Sequence, residues 1–137
     1  MRQLRVGIAL IQQADTYLLQ LRGDNPVIGA AGLIGGFGGK LEPGEEPAGA
    51  VCRELSEETS LVPLVEELEH LGAVEVLSDH RLEAVNVHAT FFRLLLDENL
   101  EVAAREGKLV RMTREEISSS LYRLTPATRA YFETLIP

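Results

Sequence analysis

The chain has 137 residues, 45% of them hydrophobic, and a formal net charge of −8, which suits one compact domain spanning 1–137 with a buried core. That acidic balance excludes the basic stripe of a stable nucleic-acid binder, the absence of a long apolar run excludes a membrane-spanning helix, and a lone cysteine, Cys52, excludes an internal disulfide. The N-terminus carries neither the basic nor the apolar region of a secretory signal, so the expected location is cytoplasmic.

In chain order, Leu4 to Gln12 and Tyr17 to Arg22 read as two strands around a polar turn at Gln13 to Thr16. Asp24 to Gly39 reads as a Gly-rich loop that ends in Gly35-Gly36-Phe37-Gly38-Gly39-Lys40, where close backbone approach is expected. It is no phosphate-binding P-loop, because Ile34 stands where the first Gly would fall and Leu41 replaces the Ser or Thr after Gly-Lys.

A helix is predicted from about residue 47, with Pro47 in the first turn and Glu45 and Glu46 complementing the positive end of its dipole. Ala48, Val51, Cys52, Leu55 and Thr59 form a small apolar stripe, and Cys52 reads there as a buried hydrophobe rather than a catalytic thiol. Glu54, Glu57 and Glu58 share the other face, since side chains three and four apart meet on a helix. Three carboxylates repel one another unless something positive sits among them. Oxygen-only ligands favour Mg2+, with Mn2+ as a substitute, over zinc.

Leu68 to Leu77 and Leu82 to Leu96 read as strands joined by a turn around Asp79-His80-Arg81. Alternation puts Val85, Val87, Ala89 and Phe91 on one side of the second, and Asn86, His88, Thr90 and Phe92 on the other, from which Asn86 and His88 could reach a base pocket. His70, His80 and His88 lack zinc-ligand spacing. Lys108 to Met112 is a short strand, and Thr113-Arg114-Glu115-Glu116 is a capping box opening a short helix. Thr125 and Pro126 start a last helix with Ala127, Ala130, Tyr131 and Leu135 on its buried side.

Five residues separate Gly39 from Glu45, and seven separate Glu45 from Arg53-Glu54-Leu55-Ser56-Glu57-Glu58. The whole pattern resembles the Nudix box, in which Gly, Glu and Arg-Glu-aliphatic-x-Glu-Glu-x-Gly-aliphatic stand at these intervals. Gly39, Glu45, Arg53, Glu54, Leu55, Glu57, Glu58 and Leu61 fit, whereas Ser60 replaces a Gly. A Gly there normally allows a left-handed turn, so Ser60→Gly is expected to be neutral or slightly stabilising.

The resemblance implies an α/β fold, the Nudix αβα sandwich with a mixed sheet between helices. It also implies hydrolysis of a nucleoside diphosphate linked to another group, with Glu54 and Glu58 as principal Mg2+ ligands, Glu57 as a further ligand or water-mediated contact, and the Gly44 carbonyl as a backbone ligand. Glu45 and Arg53 would pair to orient the loop. The general base would be a box Glu, such as Glu57 or Glu58, or Glu106 in Arg105-Glu106-Gly107, which resembles a Lys-Glu-Gly loop of MutT-type members; Glu101 competes. Arg22 resembles an arginine that contacts substrate.

Gly36-Phe37-Gly38-Gly39-Lys40 is similar to the box entry of enzymes acting on oxidised purine nucleoside triphosphates, which makes Gly39 and Lys40 substrate residues. Leu124-Thr125-Pro126-Ala127-Thr128 is similar to a C-terminal segment whose Asn reads the base, but Thr128 stands in its place. The proline of ADP-ribose hydrolases and the tyrosine of diadenosine-polyphosphate hydrolases are both missing beyond the box. A small-molecule nucleotide is the implied partner, with a nucleoside triphosphate, oxidised or not, preferred. Hydrolysis of ADP-ribose or another nucleotide sugar is the alternative, as is a silent nucleotide-sensing domain, and a homodimer is left open.

Overall fold

The computed structural model describes residues 1–23, 31–80 and 83–135. The expected loop at 24–30 and the turn residue Arg81 lie outside the described residues. Among those described, seven strands join into one mixed sheet. They are β1 (Gln3–Gln13), β2 (Thr16–Leu21), β3 (Ile34–Gly35), β4 (Phe37–Lys40), β5 (Leu68–His80), β6 (Glu83–Leu96) and β7 (Lys108–Thr113). Three helices, α1 (Pro47–Glu58), α2 (Arg114–Ser118) and α3 (Pro126–Thr134), complete the frame. No helix is long and apolar enough to cross a membrane.

The sheet is built around β1. It runs parallel to β6 from Gln3↔Asn86 to Gln13↔Leu96, and its opposite edge is shared by β4, at Val6 to Ala9, and β2, at Ile11 to Gln13. Strand alternation then sorts the core into two layers. Ala9, Ile11, Leu18, Phe37, Phe92 and Leu94 meet Val51 and Leu55 of α1. Leu10, Leu19, Val85, Val87, Ala89 and Phe91 meet Ile117 of α2 and Ala127, Tyr131 and Phe132 of α3. Each buried Val, Leu, Ile or Phe among them contributes roughly 1.5–3 kcal/mol of transfer free energy, and helices cover both faces of the sheet. This is the expected sandwich.

Helix α1 sits directly on β1. A Cβ at Gly7 would lie 2.9 Å from both the Pro47 carbonyl oxygen and Val51 Cγ2. Pro47 opens the helix after Glu46. Thr59 closes it, its hydroxyl donating to the Leu55 carbonyl at 2.6 Å and accepting the Leu61 N–H at 3.0 Å. The capping box of α2 and the Thr125 cap of α3 are both formed.

Several boundaries differ from expectation. The tail of the Gly-rich segment is strand, because Gly38 and Gly39 pair with Ile8 and Gly7 of β1. Only glycine fits this approach, since a Cβ at Gly38 would be 2.0 Å from the Gly7 carbonyl oxygen. The β5–β6 hairpin is longer than expected, with β5 reaching His80. Cys52 is half-buried rather than buried, and Leu135 lies past the last helical turn, 37% exposed.

Candidate active site

The acidic face of α1 lies against β4. The Gly38 N–H donates to Glu58 Oε1 at 3.0 Å, and a Cβ on Gly39 would come within 2.6 Å of the Glu54 carboxylate. A glycine strand thus lets two carboxylates close onto backbone. Glu58 is 5% exposed, although it belongs to the charged face by spacing. Burial pushes its carboxyl up to about 8, helped by the negative charges of Glu54 and Glu106 and opposed by the Gly38 N–H and Arg22. Glu54 is raised as well, first by burial, with Arg53 opposing.

Glu57 does not join this pair. It is exposed, with its Oε1 3.5 Å from Arg53 Nη1. Among the described residues, no three His, Cys, Asp or Glu side chains converge as a ready metal cage. Of the three carboxylates expected together, the structure pairs half-buried Glu54 with buried Glu58, while Glu57 is exposed beside the Arg53 guanidinium.

Arg53 ties the loop to the helix. Its Nε donates to Glu45 Oε2 at 2.8 Å, its Nη1 to Glu54 Oε1 at 2.9 Å and its Nη2 to the Lys40 carbonyl at 3.1 Å. The Arg53 hydrogen bond, followed by the Glu42 backbone N–H, holds the Glu45 carboxyl down to about 2. Gly44 sits in the Glu42–Glu45 turn with φ 78 and does not line the cavity beside Glu58.

A cavity of about 390 Å³ opens beside the acidic pair. Leu4, Val6 and Ile8 of β1, Val85 and Val87 of β6 and Val76 of β5 line it, together with the charged side chains of Arg22, Lys40, Glu58 and Glu106. Arg22 shares the cavity with Glu58 and Glu106; burial lowers its pKa, and the two negative charges oppose the shift. Glu106 lines this cavity with Glu58, whereas Glu101 lines a separate surface hollow with Gln13 and Arg111.

Thr128 departs from its expected role. It is fully buried, its hydroxyl accepts the Gly36 N–H at 3.3 Å, and it does not line the cavity. Asn86 and His88 are turned to the other side of β6, where they meet Gln3 and Glu75. Val85 and Val87 face the cavity instead. Two features escaped the reading of the sequence: the aliphatic floor and the buried Gln20, whose Nε2 donates to the Glu106 carbonyl at 3.0 Å. A polar residue inside Leu18-Leu19-Gln20-Leu21 was the available signal.

The profile of the NUDIX domain matches residues 1–135. No curated protein sequence matches the chain. Among solved structures it is similar to a MutT protein from Methanosarcina mazei Go1, with 24% identity, 98% of this chain and 93% of that chain covered, and a TM-score of 0.76. It is also similar to the E. coli dihydroneopterin triphosphate pyrophosphohydrolase, with 17% identity, 99% of each chain covered and a TM-score of 0.68. A third likeness is to a bifunctional NMN adenylyltransferase/ADP ribose pyrophosphatase from Francisella tularensis, complexed with AMP and a Mn ion, with 20% identity, 98% of this chain and 41% of that chain covered, and a TM-score of 0.67. At these identities the structures show the fold. The family match over residues 1–135, on a chain that also carries Gly39, Glu45, Arg53, Glu54, Glu57 and Glu58 at the box spacing, places the protein in the Nudix hydrolase family.

Proposed function

We propose that the protein is a Mg2+-dependent pyrophosphohydrolase that cuts a nucleoside triphosphate into a nucleoside monophosphate and pyrophosphate. The observation that carries this reading is that Glu58, Glu106 and Arg22 line one largely apolar cavity, with the Glu54 carboxylate beside Glu58. The donor set fits a hard divalent cation: it is oxygen-only, and neighbouring carboxylates crowd Glu58 with negative charge that a cation would relieve. Glu54 and Glu58 would hold the ion, with Glu57 as an outer contact once it leaves Arg53. When bound, the cation supplies the positive charge that lets a polyphosphate approach these carboxylates.

The chain's own groups divide the remaining work. Glu106 takes the proton of the attacking water, whose oxygen bonds to phosphorus as the bond to the bridging oxygen breaks and pyrophosphate leaves. Arg22 and Lys40 orient the phosphates. Arg53 and Glu45 keep the loop against the helix, so that Glu54 is presented at a fixed place.

The floor supports a site that reads phosphates more closely than base edges. None of the four Phe and three Tyr residues lines the cavity, and its walls are mainly aliphatic among the described residues. A hydrophobic pocket discriminates isosteres by only about 10–200-fold, so canonical and oxidised nucleoside triphosphates should be hydrolysed within that range of kcat/KM. A screen of these compounds with ADP-ribose, nucleotide sugars and dinucleoside polyphosphates, followed by product identification, tests the reading. Hydrolysis of ADP-ribose alone would replace it with the nucleotide-sugar alternative, and turnover of none of them would leave the sensing domain.

A further inference from the structure

We propose that Gln20 and Ser60 are positioning residues that hold the loop of residues 103–107, and with it the Glu106 carboxylate, beside Glu58 and Arg22. The proposal rests on the reading of Glu106 as a working group of the site. The loop is gripped from two sides. From the sheet, Gln20 is 4% exposed on β2 and donates to the Glu106 carbonyl at 3.0 Å. A buried amide in an apolar strand is costly without a partner, so this bond keeps both groups in place.

From the helix, Ser60 makes a reciprocal pair with Ala103. Its N–H donates to the Ala103 carbonyl at 2.9 Å, and its Oγ accepts the Ala103 N–H at 3.0 Å. The Arg105 N–H then reaches the Glu58 carbonyl at 2.6 Å. Immediately after Glu106, Gly107 turns the chain with φ 65 at a point where a Cβ would lie 2.6 Å from the Leu21 carbonyl oxygen. The backbone is therefore pinned on both sides of Glu106. The residue that breaks the family box, Ser60, supplies one of the pins.

Every one of these contacts is to backbone, so they set the position of Glu106 and leave its carboxylate chemistry alone. Misplacing a reacting group by about 1 Å can cost up to about a hundredfold in rate. Substrate affinity, carried by Arg22, Lys40 and the cavity floor, should change little when Ser60 is altered, because Ser60 does not line the cavity; Gln20 does, so Ser60→Ala gives the cleaner reading of KM. The expected signature is a fall in kcat at nearly constant KM.

The test is steady-state kinetics, on the compound hydrolysed fastest in the screen above, for Gln20→Met, Ser60→Ala, Glu106→Gln and the two double variants with Glu106→Gln. Gln20→Met and Ser60→Ala should each lower kcat about tenfold with KM within about twofold, and neither should slow the Glu106→Gln enzyme further. Ser60→Thr should restore the rate lost in Ser60→Ala. Wild-type turnover by Glu106→Gln would overturn the role of Glu106 and the clamp together. A slow Glu106→Gln enzyme beside folded Gln20→Met and Ser60→Ala variants of wild-type kcat would overturn the clamp alone, as would losses that add fully in the double variants. Ser60 is exposed, so Ser60→Ala decides the matter if Gln20→Met fails to fold.

Discussion

Glu58 is the residue on which structure and chemistry press hardest. Burial and two neighbouring carboxylates lift it to about 8 from an ordinary 4.5, so between those values the folded protein binds more protons than the unfolded chain. The contribution of Glu58 to the stability of the cation-free protein should therefore be fullest below pH 4.5 and fall as the pH rises through 8, at up to about 1.4 kcal/mol per pH unit. Glu58→Gln should flatten that slope in urea titrations at pH 5, 6.5 and 8, and an unchanged slope would show that the carboxylate is not held this way. The same variant should lose about a thousandfold in turnover, equivalent to roughly 4 kcal/mol. Gly39→Ala makes a different demand, because the three atoms nearest its Cβ would all belong to the Glu54 carboxylate, the far end of a long side chain rather than backbone. It should melt near the wild-type temperature yet lose activity and bind Mn2+ more weakly, which calorimetry would detect.

At the scale of elements, the box was legible because its chemistry and helical spacing coincide. Pro47 marked the helix start, Thr113 and Thr125 marked two others, and strand alternation divided β6 correctly. What the spacing could not show was tertiary: that Gly38 and Gly39 would form a strand, that Glu57 would stay exposed beside Arg53, and that Glu58 would be buried with its carboxylate on the Gly38 N–H and its carbonyl on the Arg105 N–H. The helix end is the clearest correction. Ser60 was expected to strain in a left-handed turn, but Thr59 closes the helix in extended conformation and, among the described residues, Ala14 is the only non-glycine with positive φ. Ser60 instead bonds Ala103. Ser60→Gly should thus cost about 1 kcal/mol, from one lost hydrogen bond and greater freedom in the unfolded chain, and lower the melting temperature by roughly 2–5 °C. A rise in melting temperature would restore the left-handed reading.

On the scale of the whole molecule, the sandwich serves to bring a strand of glycines, an acidic helix and the Glu106 loop to one end of an apolar cavity in a chain of net charge −8. Such a site is unfavourable without a counterion, so protons and divalent cations should compete for it. With its carboxyl raised to about 8, Glu58 should hold its proton at pH 5 and be about half ionised at pH 8, where a cation would have less proton to displace. Mg2+ should therefore raise the melting temperature more at pH 8 than at pH 5, because a ligand of the folded state stabilises by RT ln(1 + [L]/Kd), about 2.7 kcal/mol at a hundredfold excess over Kd. Chelation with EDTA should abolish turnover at either pH, and Mn2+ should restore it. Full turnover in excess EDTA would remove the cation from the reaction, and an equal Mg2+ stabilisation at both pH values would place its binding away from Glu58.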